Sequence, residues 1–117
     1  MHLSPDMLES AYAFLLTTPP FRRWKLPHAD EVEFRVLVDE DVMGHFMQYV
    51  ATGAPIISIS TTKIDHTINL ISTVAHEMVH LKQAIDKTDT PDVEHNDEFK
   101  RLAKLVCKHH GYDYKGF

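Results

Sequence analysis

The sequence predicts an α+β fold in a single domain, because segments with helical periodicity lie before and after segments with strand-like patterns. At 117 residues, the chain 1–117 is long enough for one modest hydrophobic core but not for two. The longest helical segment runs from Asp65 to about Lys87, and its apolar residues recur at spacings of three and four. Residues 33–39 alternate polar and apolar side chains, and residues 55–60 form an apolar run rich in β-branched residues. Both patterns are typical of strands.

A first helix is predicted to begin at Pro5, with Ser4 as its N-cap. It should end before Pro19-Pro20, since the residue that precedes a proline is disfavoured in the helical conformation. Residues 19–31 have no regular periodicity and are predicted to be an irregular connection. Residues 45–50 are ambiguous, because their apolar spacing fits either one face of a helix or a strand.

Composition excludes several classes of protein. The formal net charge is −5, which offers no global electrostatic reason to bind nucleic acid, although it does not exclude a local basic patch. Cys107 is the only cysteine, so a disulfide framework and a cysteine-rich zinc module are both excluded, and its apolar surroundings predict a buried thiol. The N-terminal residues lack the pattern of a secretory signal, and no apolar run reaches the roughly 20 residues that a membrane span needs. We therefore expect a cytoplasmic protein with no membrane partner.

The main functional signal is an H-E-x-x-H motif, His76-Glu77-Met78-Val79-His80, inside the longest predicted helix. Residues four apart on a helix project from the same side, so the imidazoles of His76 and His80 can reach one metal ion. Zinc accepts neutral imidazole nitrogens, and three protein ligands leave a fourth position for water. Glu77 follows the first histidine and stands where a general base would take a proton from that water. Two histidines on a polar helix face could equally be solvated side chains.

A third ligand is expected after this helix. A polar stretch at residues 86–91 interrupts the helical pattern, and a second pattern runs from Asn96 to His109, where Gly111 is placed to end it. His95 stands immediately before the second helix, where the chain returns toward the first. Glu98, one turn into that helix, is the alternative third ligand, since zinc also accepts two histidines and a glutamate.

With His95, the motif resembles a known family. The H-E-x-x-H pair, fourteen intervening residues and then His95-Asn96-Asp97-Glu98-Phe99 resemble the SprT-like zinc metalloprotease domain. That family pairs H-E-x-x-H with a downstream H-G-x-x-F or H-G-x-x-W at the start of the next helix. Asn96 departs from the family glycine, but asparagine tolerates the left-handed conformation and also caps helices. The stretch from Met43 to Ser60 resembles the family's strand pair, so residues 45–50 are predicted to be a strand. The resemblance covers roughly residues 33–110.

The resemblance implies a minimal zincin-like domain, in which a small antiparallel sheet packs on the H-E-x-x-H helix between N- and C-terminal helices. It further implies one Zn²⁺ ion held by His76, His80 and His95, with Glu77 as the catalytic base. The implied reaction is hydrolysis of a peptide or protein substrate. The nucleic-acid-linked role of larger relatives is not implied here, because the cysteine-rich module of some members is missing.

Two other interpretations remain open at this stage. The chain could be a non-catalytic zinc-binding interaction or regulatory module on the same scaffold, or an unrelated protein with surface histidines. The sequence also leaves the group that stabilises the oxyanion unassigned. Its candidates are the C-terminal side chains of His109, His110, Tyr112 and Tyr114.

Overall fold

The computed structural model describes residues 2–38, 41, 43–61 and 67–117, with residues 67 and 68 described by their backbone alone. Within these residues the chain forms an α+β fold of three α-helices and one three-stranded mixed sheet. In chain order the elements are α1 (Pro5–Leu16), β1 (Glu33–Leu37), β2 (Gly44–Gln48), β3 (Pro55–Ser60), α2 (Thr67–Asp86) and α3 (Asp97–His110).

The sheet has the order β1-β3-β2, and its topology corrects one expectation. A wholly antiparallel sheet was predicted, but only β2 and β3 are antiparallel, whereas β1 and β3 run parallel. The reason lies in the connections. The chain reverses once between β1 and β2 and again in the tight turn between β2 and β3, where Gly53 has a φ of 73°. Two reversals leave β1 and β3 pointing the same way, with β3 inserted between the other two strands.

The first helix forms as its capping residues predict. The Ser4 hydroxyl accepts a hydrogen bond from the Met7 amide at 3.3 Å, and Pro5 occupies the first turn. Leu8, Tyr12 and Leu15 are fully buried, which places this helix in the core. The Tyr12 hydroxyl donates to the backbone oxygen of Pro27 at 2.6 Å and so fixes the irregular connection against the helix.

Helix α2 is buried on more sides than its apolar stripe predicts. Val74, Met78 and Leu81 are buried as expected, although Ile85 at the end of the stripe is 45% exposed. The polar face is only partly solvated, because Gln83 on that face is 1% exposed whereas Lys87, just after the helix, is exposed. The predicted start of this helix, at residue 65, lies outside the described residues.

Helix α3 begins and ends where the sequence predicts. Asn96 is its N-cap, and Gly111 ends it in the left-handed conformation with a φ of 74°. The Cys107 thiol is buried, and burial raises its pKa. In the part of the chain that the structure describes, none of the helices has both the length and the apolar character needed to cross a bilayer.

Candidate metal centre

Three histidines from different parts of the chain meet beside helix α2. One nitrogen from each of His76, His80 and His95 lies within 4.8 Å of the other two. The centres of the three imidazole rings are 5.0–5.3 Å apart. Two of these side chains come from one face of α2, and the third comes from the residue just before the cap of α3. The structure therefore brings together the three histidines that the sequence predicts as metal ligands, in a group that could hold one metal ion.

The ring of Phe99 is the floor of this cluster. It lies 5.1 Å from the imidazole of His76, 4.6 Å from that of His80 and 4.3 Å from that of His95, measured between ring centres. Phe99 is only 4% exposed, so the three imidazoles rest on a fixed apolar surface. Such a surface limits the rotation of the rings and keeps bulk water away from one side of the site.

Burial keeps the two imidazoles on α2 neutral. Desolvation, reinforced by the nearby His76 and His95, lowers the pKa of His80 to about 3. Desolvation also lowers the pKa of His76, against the opposing effect of a hydrogen bond to the backbone of Phe117. Metal ions bind the neutral imidazole, so both side chains are in the binding form at neutral pH.

His76 has a hydrogen-bond partner outside the histidine cluster. Its Nδ1 lies 2.6 Å from the backbone oxygen of Phe117, and the two rings lie 5.3 Å apart. A backbone oxygen only accepts, so Nδ1 carries the proton and donates, which leaves the lone pair on Nε2.

His95 is the most exposed of the three, with 40% of its side chain accessible. Its position depends on Asn96, whose Nδ2 donates to the backbone oxygen of Thr88 at 2.9 Å and to Oγ1 of Thr90 at 2.8 Å. The Asn96 Oδ1 accepts from the buried Gln83 amide and from the Phe99 amide, both at 2.9 Å. Asn96 thus ties the end of α2, the connection and the start of α3 together.

Asn96 stands where the SprT-like motif has a glycine, and its backbone conformation shows why asparagine fits at this position. Its φ of −75° and ψ of −178° are extended, so the position needs no left-handed residue. The Asn96 side chain caps α3 and clamps the connection through four hydrogen bonds, and glycine has no side chain to make any of them.

Glu77 is a buried carboxyl at the edge of the cluster. Its residue is 4% exposed, and burial, together with the negative charge of Glu94, raises the pKa of Glu77 to about 8. Gly44, the first residue of β2, leaves the space that this carboxyl occupies. A Cβ atom at Gly44 would lie 2.8 Å from Oε2 of Glu77 and 3.0 Å from Cγ2 of Thr73.

Two cavities meet at Glu77. One, of about 350 Å³, extends toward the end of the chain and is also lined by His76 and Phe117. The other, of about 410 Å³, extends toward β2 and the connection before α3, and is also lined by His80. Gly44, Glu77 and Glu94 line both of them. Glu77 therefore lies where a cavity lined by His76 and a cavity lined by His80 share part of their walls.

The alternative third ligand lies outside this group. Glu98 is paired with Arg101, with nitrogen to oxygen distances of 2.6 and 2.9 Å, and this pairing lowers the pKa of the carboxyl. Among the described residues, the metal-binding group contains His95 and not Glu98.

The four C-terminal side chains considered for the oxyanion do not line either cavity at Glu77. His110 lies 3.0 Å from the Thr18 hydroxyl through Nε2, and the Tyr112 ring stacks on His110 with ring centres 5.4 Å apart. Tyr114 lies under the ammonium group of Lys104, 5.3 Å from it. His109 lines a separate cavity beside Trp24.

Three residues that contribute to this site were not predicted from the sequence. Phe117 was not considered, because a contact between residues 41 positions apart leaves no local pattern. Gly44 was noted only as part of a strand, although a glycine at a strand start already suggests close approach of a neighbouring group. Gln83 lies on the polar face of α2, and the hydrogen bonds that allow its burial are made to Thr88 and Asn96, which lie beyond the helix.

Comparison with known proteins adds no family assignment: no family model matches the chain, and no curated protein shows significant sequence similarity to it. The resemblance to the SprT-like domain therefore rests on the histidine motifs and their spacing.

Proposed function

We propose that the protein is a zinc-dependent metallopeptidase with a minimal zincin-like fold, of the SprT-like type that its motifs resemble. The observation that carries the proposal is the position of Glu77. This buried carboxyl lines one cavity together with His76 and a second cavity together with His80, two of the three clustered histidines. A site that only stores a structural ion needs neither a neighbouring base nor space on both sides for a substrate.

The donor set fits zinc. His76, His80 and His95 would hold one Zn²⁺ ion, since three neutral imidazoles with an open fourth position are a ligand set of catalytic zinc. When bound, the ion would polarise the scissile carbonyl and lower the pKa of a water molecule at the open position.

Glu77 would serve as the general base. A pKa raised to about 8 in the metal-free protein means that the carboxyl holds a proton readily near neutral pH. A cation held by the neighbouring histidines would favour the ionised form, which accepts a proton. The attacking water would give its proton to a carboxylate oxygen of Glu77, and the same oxygen would return it to the amine nitrogen as the C–N bond breaks.

The substrate would be an extended segment of a peptide or protein that adds to β2. This strand is an edge of the described sheet. The hydrogen bond from Ser60 N to Met43 O shows that Met43, and every second residue after it, points its backbone N–H and C=O groups toward β3. Gly44 and Phe46 alternate with those residues, so their backbone N–H and C=O groups point to the free edge. Both residues line the cavity beside His80, which suits pairing with a peptide backbone.

The runner-up is a non-catalytic zinc-binding module on the same scaffold, and a glutamine variant separates the two. Glu77→Gln keeps the size of the side chain and removes the base. In the zinc-loaded protein, hydrolysis of an unstructured protein substrate should fall by about 10²–10⁴-fold, while zinc content stays unchanged. Glu98→Gln is the matched control, because Glu98 is paired with Arg101 outside the cleft, and it should keep full activity.

Equal hydrolysis by wild type and Glu77→Gln would exclude Glu77 as the base. If neither protein cleaves any of a broad peptide library at full zinc loading, in the presence of DNA and of cell extract, the non-catalytic module is the better description.

A further inference from the structure

The end of the described chain returns to the metal centre. Gly111 ends α3, and residues 112–117, here called the return segment, bring the chain back into contact with α2 at His76. The backbone oxygen of Phe117 then meets Nδ1 of His76 at 2.6 Å, and its ring packs against the same imidazole. Gly116 and Phe117 also line the cavity of about 350 Å³ beside Glu77.

We propose that the return segment is a positioning element of the metal centre, which selects the tautomer of His76 and aims its Nε2 at the cluster. An imidazole whose Nδ1–H donates to a fixed oxygen cannot rotate freely, and its lone pair lies on the opposite side of the ring. Hydrogen bonds of this kind orient histidine ligands, and their loss typically weakens metal binding by 10–100-fold. The imidazoles of His80 and His95 lie 5.2 and 5.0 Å from that of His76, measured between ring centres, and Nε2 is the His76 nitrogen left for an ion shared with them, because Nδ1 is bonded to Phe117.

The return segment has anchors of its own, as a positioning element requires. The amides of Gly111 and Tyr112 both donate to the backbone oxygen of Cys107, at 2.8 and 3.1 Å. The ring of Tyr112 stacks between those of His110 and Phe117, with centres 5.4 and 6.0 Å away. A series of contacts therefore leads from the C-terminal end of α3 to the imidazole of His76.

This inference rests on the proposed metal centre, but its first test needs no metal. Long-range ¹H–¹⁵N correlation spectra of the metal-free full chain should show His76 as the Nδ1–H tautomer. In a chain shortened to end at Lys115, which lacks the accepting oxygen, the spectra should show a mixture of tautomers. Phe117→Ala keeps the backbone oxygen but removes the ring that stacks on Tyr112, so it should shift the tautomer ratio less.

The second test uses zinc and cobalt. Competition with a chelator should give a zinc Kd that is about 10–100-fold higher for the shortened chain than for the full chain. The visible absorption bands of bound Co²⁺ should change as well, because they report the geometry of the ligands. Tyr114→Ala is the matched control, since Tyr114 is an exposed aromatic of the same segment that contacts Lys104 rather than His76. This variant should leave both readouts unchanged.

An Nε2–H tautomer of His76 in the full chain would overturn the inference. It would also be overturned if the shortened chain, with an unchanged thermal unfolding curve, kept the tautomer, the zinc Kd and the cobalt spectrum of the full chain. Absence of zinc binding by the full chain, with the Nδ1–H tautomer present, would instead overturn the proposed function.

Discussion

The two halves of the histidine cluster are built in different ways. His76 and His80 project from one helix, one turn apart, and helix geometry alone brings them together. His95 lies in the connection before α3 and is 40% exposed, so its position depends on hydrogen bonds between distant residues. A ligand pair on a helix is specified locally, whereas the third ligand is specified by the tertiary structure.

This difference explains which part of the site a sequence can predict. The H-E-x-x-H spacing names two candidate ligands and a candidate base without knowledge of the fold, and the structure places both histidines in the cluster and the glutamate in a cavity beside each of them. The candidate third ligand, His95, was inferred from its position before the second helical pattern and from the family resemblance, whereas the clamp around Asn96 was visible only in the structure. We therefore expect changes in the connection to affect metal affinity, and changes near α2 to affect chemistry as well.

The largest effect is expected from removal of the third ligand. His95→Ala should weaken zinc binding by about 10³-fold or more, because each ligand of a zinc site contributes several kcal/mol. Isothermal titration, or competition with a chelator, measures this change. His109→Ala is the control, since His109 lies in a separate cavity, and it should bind zinc like the wild type. Unchanged affinity in His95→Ala would mean that the third ligand lies elsewhere.

A smaller loss, confined to chemistry, is expected from Gly44→Ala. The new Cβ would lie 2.8 Å from Oε2 of Glu77 and 3.1 Å from Cδ1 of Ile59, so the carboxyl has to move. Displacement of a base by about 1 Å costs up to about 10²-fold in rate, while the three imidazoles are untouched. We expect hydrolysis to fall about 10–100-fold at unchanged zinc content.

Gly116→Ala is the matched control for Gly44→Ala, because a Cβ at Gly116 meets no atom within 4 Å although this glycine also lines the cleft. A Gly44→Ala protein with full activity would show that Glu77 does not need its present position.

The clamp in the connection should have a moderate effect on affinity. Asn96→Gly introduces the family residue but removes both donations from Nδ2 and the acceptor for the Gln83 and Phe99 amides. We expect a zinc Kd about 10-fold higher and a loss of about 1–2 kcal/mol in the free energy of unfolding. Asn96→Asp keeps the accepting oxygen and should be affected less. Wild-type affinity in Asn96→Gly would show that His95 is positioned without the clamp.

The remaining effect, which needs no metal, is a pH dependence of the stability of the metal-free protein. The unfolded chain releases the Glu77 proton near the ordinary pKa of 4.5, whereas the folded chain retains it up to about pH 8. The folded state binds more protons in this window, so its stability falls as pH rises from about 4.5 and the loss is complete above about 8. Glu77→Gln does not titrate and should escape this loss.

The melting temperature of metal-free Glu77→Gln should therefore exceed that of the wild type by roughly 5 °C or more at pH 9. The two should agree closely at pH 4.5, and Glu98→Gln should show no gain at high pH. A constant difference across the whole pH range would mean that Glu77 is not the group responsible.

The fold, like the site, could be predicted where it depends on residues that are close in the sequence, and not where it depends on distant ones. The bounds of α1 and α3 follow from capping residues, since Ser4, Asn96 and Gly111 act within a few positions of themselves. The parallel pairing of β1 with β3 was not predicted, because strand order depends on which edge a hairpin joins and leaves no mark on periodicity. The contact between Phe117 and His76 was not predicted either, because a contact between residues 41 positions apart leaves no mark on the periodicity.

The content of bound metal decides whether the three histidines form a zinc site at all. The full chain is loaded with excess zinc at neutral pH, free metal is removed, and bound metal is measured by elemental analysis. We predict one zinc ion per wild-type chain, and a clear deficit in a His76→Ala, His80→Ala double variant that still shows the wild-type far-UV circular dichroism. Substoichiometric zinc in the wild type, or equal zinc in both proteins, would contradict the metal centre on which the proposed function depends.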